Sequence, residues 1–357
     1  MLMKGLLLAG GHGTRLRPLT YTGNKHMLPV ANKPIILYGL EHLRNAGIRD
    51  IGIVLGPIKE GVRELIGDGS RFGVRVTYIE QNEPRGLAHA VKVSRDFLGE
   101  EPFVMYLGDN LLKSGIEKLL EDFNKNNPEA VIAVSKVRDP QRFGIVEMEG
   151  DKIVRLVEKP KHPKSDLALV GVYLFRSSIF DAVEKIKPSW RNELEITDAI
   201  QELVNANYDI HVHFVSGWWK DTGKPEDLLE ANQLVLSDLE PGNEGELHEN
   251  VIIQGNVKIG AGTVIREGCC LRGPVIIGKR CEIGPNTYIG PYTSIGDDVT
   301  ICGGEIEYSI VMPETRIICE KRIINSLIGR HVSIISSNRS IPAGHRLIIG
   351  DSSFVSL

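Results

Sequence analysis

The chain has 357 residues, a formal net charge of −4, and 42% hydrophobic and 25% charged residues, the balance of a soluble globular protein. Its length favours two domains, because single cores stop growing near ~250–300 residues. The negative balance argues against a general nucleic-acid-binding surface, and no apolar run reaches the ~18–20 residues that span a bilayer. The first residues read as a strand, not as a signal peptide. Five cysteines without a C-x-x-C spacing support neither a disulfide framework nor a zinc site. The expectation is a cytoplasmic protein without nucleic-acid or membrane partners, in which local cations meet any phosphate ligand.

An apolar strand over 5–9 runs into Gly10-Gly11-His12-Gly13-Thr14-Arg15-Leu16-Arg17-Pro18, with Lys25 beyond. Glycines let backbone N–H groups approach phosphate oxygens, and Arg15 and Lys25 add a planar fork and a mobile point charge. A Walker A loop is excluded, because no Lys-Ser or Lys-Thr pair stands at the required spacing. A Rossmann dinucleotide fingerprint fails at Leu16 and lacks its acidic residue about twenty positions on. Alone, Gly-Gly-x-Gly reads equally well as a tight turn.

Further strands are expected at 50–55, 74–80, 102–107, 130–137, 152–157, 168–175 and 210–215. Helices are expected from Pro34 to Gly47 and near 57–66, 87–98, 115–126, 194–206 and 225–237. This alternation predicts an α/β fold with a Rossmann-like, mainly parallel sheet. Ligands then sit beyond the carboxyl ends of strands, where the loops 10–18 and 108–110 fall.

Glu80-Gln81-Asn82-Glu83-Pro84-Arg85-Gly86-Leu87-Ala88 follows a strand and opens a helix. The Gln81 amide can donate and accept at once, which suits the imide edge of thymine or uracil, and Gly86 lets backbone approach a base. Leu107-Gly108-Asp109-Asn110 puts a carboxylate at the end of a buried strand, which is costly unless it is paired or binds a cation. Trp218-Trp219-Lys220-Asp221-Thr222-Gly223 carries a second carboxylate, also readable as a turn or cap ahead of Pro225. Phe143-Gly144, Glu158-Lys159-Pro160, Leu169-Val170-Gly171 and Arg191-Asn192-Glu193-Leu194-Glu195-Ile196-Thr197-Asp198 complete the set.

Ser237 to Glu246 is polar and rich in turn residues, and reads as a linker. Beyond it, Ile253, Ile259, Ile265, Leu271, Ile277, Ile283, Ile289, Ile295 and Ile301 recur every six residues. A second column, Val257, Thr263, Cys269, Val275, Cys281, Thr287, Thr293 and Val299, is small or β-branched. This is the hexapeptide repeat of a parallel β-helix. The aliphatic column fills the core, Cys269 and Cys281 pack as small hydrophobes, and glycines such as Gly260 and Gly278 are expected to serve the turns. Glu305 to Cys319 reads as an irregular excursion, after which Ser326 and Val332 begin weak returns to the pattern. The domains are accordingly 1–240 and 241–357.

With these motifs in this order, and with Arg346-Leu-Ile-Ile-Gly-Asp near the end, the whole chain resembles the sugar-nucleotide pyrophosphorylases. It is most similar to their long-form glucose-1-phosphate thymidylyltransferases. The resemblance implies a nucleotidyltransferase domain followed by a left-handed β-helix, in a homo-oligomer. It implies that Leu8, Gly10, Gly11, Gly13, Thr14, Arg15, Lys25, Gln81, Pro84, Gly86 and Asp109 bind the nucleotide. Leu87, Leu107, Asn110, Gly144, Glu158, Lys159, Leu169, Gly171, Arg191 and Glu193 would bind the sugar phosphate. Asp109 and Asp221 would hold Mg2+, and Arg15, Lys25, Asp109, Lys159 and Asp221 would carry catalysis. Two departures stand out. His26 replaces the glutamine of short-form relatives and reads equally as an incidental loop histidine. Asn192 replaces a glycine, which puts the local backbone contact in doubt.

The implied reaction is dTTP with glucose 1-phosphate giving dTDP-glucose and pyrophosphate, by in-line attack on the α-phosphate. A phosphate monoester dianion is already nucleophilic, so the work is positioning and charge neutralisation. Rival readings are a UTP-dependent uridylyltransferase, a bifunctional enzyme with acetyltransferase activity in the β-helix, and a non-catalytic sensor. The regular repeat from 251 to 302 contains no histidine for acetyl transfer; His248, His331 and His345 lie outside it. A sensor would show lesions at Arg15, Lys25, Asp109 or Asp221, and all four are intact.

Overall fold

The computed structural model describes residues 3–336, so His345 and the Arg346 segment lie outside the described residues. The chain divides into two compact units. The first takes the residues up to His12, Gly23–Met27 and Ile35–Asp221; the second takes Gly13–Thr22, Leu28–Pro34 and the residues from Thr222 on.

The first unit is built on a nine-stranded mixed sheet. Its centre is parallel: Lys4–Ala9 pairs with Asp50–Leu55 and Phe103–Leu107, and Asp50–Leu55 pairs with Arg75–Glu80. Leu6, Leu7, Ile51, Ile53 and Met105 are fully buried, as expected where both faces of a parallel sheet are covered. The other half is largely antiparallel. Leu167–Phe175 runs against Phe103–Leu107, Ala130–Lys136 and Gly144–Glu149. Ile210–Phe214 adds to Ala130–Lys136 in parallel. Sequence periodicity missed Gly144–Glu149, which forms a hairpin with Lys152–Glu158. Its two-residue connection, Gly150-Asp151, has Gly150 at φ 61°, the backbone such tight hairpins need.

The helices fall near their expected places. The helix expected from Pro34 spans Ile35–Asn45. The expected 87–98 helix is two, Leu87–Val93 and Arg95–Leu98, because the Ser94 hydroxyl donates back to the Ala90 carbonyl (2.7 Å) and disturbs the ladder. Ser178–Lys185, with Ile179, Phe180, Ala182 and Val183 buried, escaped the sequence reading. Among the described residues no helix is long and apolar enough to cross a membrane.

The second unit is a left-handed parallel β-helix with three faces, made of sheets of six, six and five strands. Coils stack every eighteen residues, so that Ile259, Ile277 and Ile295 lie in one column. The inward columns are those of the sequence pattern; Thr263, Cys269, Cys281, Thr287 and Thr293 are at most 2% exposed. Most of their polar atoms are satisfied across coils, and the Thr293 hydroxyl donates to the Pro291 carbonyl of its own coil. Thr263 Oγ1 donates to the Gly278 carbonyl and accepts from the Cys281 amide.

Three sequence expectations change here. The stretch read as a linker already contains strands of the stack, Gly242–Asn243 and Glu246–Leu247, because coil corners share a linker's polar, glycine-rich composition. Glu305 to Cys319 is not an excursion. The stack continues with a shorter coil, Ile295 pairing with Val311 and Ile301 with Ile317. Gly303 and Gly304, both left-handed, permit the tighter corner. Finally, Gly260 and Gly278 are not turn-makers, because the left-handed corner positions belong to Gly262, Arg280, Asn286, Tyr292 and Asp298. A Cβ on Gly260 would lie 2.6 Å from the Gly278 carbonyl oxygen. These glycines serve close coil stacking.

The Pro225–Leu236 helix lies on one outer face of this β-helix. Asn232 Oδ1 accepts from Ser294 Oγ (2.7 Å) and the Ala31 amide (2.8 Å), and its Nδ2 donates to the Tyr292 carbonyl. Ser294, on that outer face, is consequently fully buried.

Candidate active site

The first unit gathers most of the sequence-derived residues at the carboxyl ends of its parallel strands. Leu8, the last but one residue of its strand, has a carbonyl that accepts from the Gly108 amide (2.9 Å), which joins two strand ends. Beyond them Lys25 and Asp109 form an ion pair, each side chain 14% exposed. Burial would raise the Asp109 carboxyl, but the Lys25 ammonium outweighs it and holds Asp109 well below the usual carboxylate range. A Cβ on Gly11 would lie 3.2 Å from Lys25 Cε, so a bare backbone leaves the lysine room.

Asn24, which the sequence reading passed over, anchors this corner. Its Nδ2 donates to the Ala9 and Ile58 carbonyls, and its Oδ1 accepts from the His26 amide. His26 Nδ1 also meets Asn24 Oδ1 at 2.6 Å. That oxygen only accepts, so Nδ1 carries the proton. Burial, reinforced by Lys25, lowers the His26 pKa to about 3. A histidine buried neutral binds fewer protons than its unfolded counterpart between pH 3 and about 6.5, so stability rises with pH across that window and is complete above it. His26→Gln is therefore expected to lose much less stability than wild type between pH 7 and pH 4.5, by urea unfolding at both pH values. Equal losses would remove His26 from the acid response.

Asn110 Nδ2 donates to Asp109 Oδ1 (3.0 Å), and Asn110 Oδ1 accepts from the Trp219 indole (2.6 Å). Trp219–Asp221 pairs antiparallel with Asn110–Leu112, setting Asp221 opposite Asn110. Asp221 thus lies in this small sheet, opposite the residue that directly follows Asp109. Trp219 gave no sequence signal beyond its place in that motif.

Gln81 follows the Arg75–Glu80 strand, and its backbone N–H donates to the Leu55 carbonyl. A Cβ on Gly10 would come within 2.9 Å of Gln81 Oε1, so the first loop glycine and the glutamine are immediate neighbours. Pro84 is half-buried in the turn that follows. Gly86, at φ 102°, caps the helix that Leu87 opens. A Cβ on Gly86 would meet the Leu194 carbonyl oxygen at 2.4 Å; only glycine fits.

The sugar-side residues form one cluster. A Cβ on Gly144 would lie 3.0 Å from Glu158 Oε2 and 3.1 Å from Leu169. Gly171, at φ 82°, would touch Leu107 at 2.8 Å and Asn110 Nδ2 at 3.1 Å, which links this cluster to Asp109. Glu158 pairs with Lys159 (3.3 Å) and Arg191 (3.4 Å). Burial raises the Glu158 carboxyl against the pull of those cations. Arg191 also reaches Glu193 (2.9 Å) and Glu195 (3.4 Å). Glu195 is 3% exposed and accepts from Ser189 Oγ, whose oxygen in turn accepts the Arg191 amide. Neither Glu195 nor Ser189 stood out in the sequence. Asn192 sits at φ 60°, a left-handed backbone that asparagine tolerates better than other non-glycine residues.

Gly13, Thr14 and Arg15 belong to the second unit. Gly13 is left-handed ahead of a single turn over Thr14–Leu16, the Thr20 hydroxyl donates to its carbonyl (2.8 Å), and Arg15 is exposed.

Comparison with known proteins agrees with this geometry. The nucleotidyl transferase family model matches residues 4–238. The chain is 48% identical to a glucose-1-phosphate thymidylyltransferase of Streptomyces antibioticus, over 99% of both chains. It is 47% identical to a low-salt glycan biosynthesis nucleotidyltransferase of Haloferax volcanii, over 99% of this chain and 100% of that one. A crystal structure from Bacillus anthracis, described as that of a glucose-1-phosphate thymidylyltransferase, superposes with a TM-score of 0.63 at 39% identity, covering 68% of this chain and 98% of its own. With its mixed nucleotidyltransferase sheet and its β-helix, the chain belongs to the nucleotidyl transferase family, among the long glucose-1-phosphate thymidylyltransferases.

Proposed function

We propose that this protein joins glucose 1-phosphate to dTTP, giving dTDP-glucose and pyrophosphate. One observation carries the reading: the Lys25–Asp109 pair stands at adjoining strand ends, with the Gln81 amide on one side and the Glu158–Lys159–Arg191 cluster on the other. Gln81 would read the thymine edge. Lys25 and, on sequence grounds, Arg15 would hold triphosphate oxygens. Lys159 and Arg191 would hold the sugar phosphate in line with the α-phosphorus, and Glu158 would accept from sugar hydroxyls. The attacking oxygen needs no enzymic base, so these residues act by positioning and by charge.

The donor set fits a divalent cation that shares its shell with substrate. Among the described residues no three His, Cys, Asp or Glu side chains form a metal-holding group. Magnesium in phosphate chemistry takes one or two carboxylates and fills its shell with phosphate oxygens and water. Asp109 and Asp221 would hold Mg2+, which when bound neutralises charge on the phosphate oxygens. The same reading makes the enzyme a cytoplasmic homo-oligomer that acts on small soluble substrates.

A matrix of nucleoside triphosphates against sugar 1-phosphates, scored by pyrophosphate release, tests this reading. UTP should be turned over measurably, because the thymine methyl is worth only ~1–3 kcal/mol in an apolar pocket. Acetyl-CoA should stay unconsumed with amino-sugar phosphates.

A further inference from the structure

Gln81 can read a base only if its amide faces the right way, and the structure contains a device that sets it. The side chain is 4% exposed. Its Nε2 is engaged twice, donating to the Gly86 carbonyl (3.2 Å) and meeting His89 Nδ1 at 2.9 Å. A carbonyl accepts only, so the nitrogen and not the oxygen must face Gly86. Both amide protons are then committed, and His89 Nδ1 must be the lone-pair nitrogen of a neutral ring. Gln81 Oε1 accepts no hydrogen bond among the described residues and keeps access to solvent. It lies against the bare backbone of Gly10. What remains available on this nearly buried side chain is a pure acceptor.

We propose that His89 is a specificity-determining positioning residue, which takes up the amide proton that the Gly86 carbonyl leaves and with Gly86 holds the Gln81 amide so that Oε1 faces the base and selects nucleotides whose pairing edge offers a ring N–H. This rests on the proposed function. Thymine and uracil present a single donor on that edge, N3–H, and cytosine presents a bare N3 in its place. A flipped amide would present Nε2 and favour cytosine. Three features support a neutral, accepting His89. Its pKa is lowered by partial burial and by the nearby Arg85 and Lys92, against an opposing effect of Glu83. The Leu87–Val93 helix holds it two residues beyond Leu87, so the residues that open the helix also place the imidazole. That helix start is tied down by the Ala88 amide donating to Leu194 and the Leu194 amide donating to Arg85.

The test compares kcat/KM for dTTP and dCTP, at saturating glucose 1-phosphate, in wild type, His89→Leu and His89→Asn. Asparagine can place an acceptor oxygen near the position of Nδ1; leucine cannot. Loss of one such hydrogen bond is worth about tenfold. His89→Leu should therefore lower the dTTP-to-dCTP ratio at least about tenfold, with an unchanged KM for glucose 1-phosphate, and His89→Asn should restore most of the ratio. An equal loss for both nucleotides, or a ratio unchanged in His89→Leu, overturns the assignment of His89. Wild-type protein that releases no pyrophosphate from dTTP and glucose 1-phosphate overturns the underlying reading instead. Thermal melts of the variants keep a folding defect from being mistaken for either result.

Discussion

Asp109→Asn is expected to lower kcat by roughly 10³, the scale on which a single charge-stabilising contact acts in transferase chemistry. The substitution keeps shape and removes one charge. Asp109 is the carboxylate that the fold works hardest to keep ionised: burial opposes its charge, and Lys25 overrides that penalty. Neutralising it also strands Lys25, whose side chain is only 14% exposed. Removing one partner of a buried pair costs roughly 3 kcal/mol, and replacing both partners costs far less. The double variant Lys25→Met/Asp109→Asn should therefore recover stability in urea unfolding while remaining inactive. Recovery of activity in the double variant would show that the pair is structural and that neither charge serves the reaction.

Lys159→Gly is expected to lose roughly 10²–10³ in kcat/KM for glucose 1-phosphate while melting no lower than wild type. Lys159 closes the Lys152–Glu158 strand at φ 41°, a conformation that costs a lysine about 1–2 kcal/mol and glycine almost nothing. A residue that would be cheaper as glycine, and whose ammonium sits 3.3 Å from Glu158 Oε1, is the position where the proposed function expects a needed charge. The glycine variant separates the two effects, because relief of strain offsets the lost ion pair. A variant with near wild-type pyrophosphate release would remove Lys159 from the site.

Three strands of the parallel half could be read from sequence because they are nearly uninterrupted apolar runs buried on both faces, and the edge strand Arg75–Glu80 because it alternates. The Gly144–Glu149 strand could not. Glu147 and Glu149 alternate with Val146 and Met148 over too short a span, and the Gly150 turn was the one usable signal. The β-helix was visible through its strict six-residue period, but its first coil imitated a linker and its later coils drop one residue at the Gly303-Gly304 corner and one between Ile306 and Val311. In the proposed site, the motif glycines fall where a side chain would collide with its neighbours, and the motif charges pair with one another. What escaped were the side chains that orient others. Asn24, His89, Ser189, Glu195 and Trp219 each act on a residue distant in sequence or hidden by ordinary polar context, and no local period or spacing reveals that. Asn192 shows the converse: its left-handed backbone angle, which fits asparagine as well as glycine, could not be read from sequence.

The central claim is that one site selects thymidine triphosphate and glucose 1-phosphate together. The most direct measurement is kcat/KM for every pair in a matrix of dTTP, UTP, dCTP, ATP and GTP against glucose, galactose, mannose and N-acetylglucosamine 1-phosphates, with added magnesium and pyrophosphate as the readout. The account predicts the largest value for dTTP with glucose 1-phosphate, a smaller but measurable value for UTP, and little turnover with dCTP. A maximum at a purine nucleotide, or at another sugar phosphate whichever nucleotide is used, would contradict it.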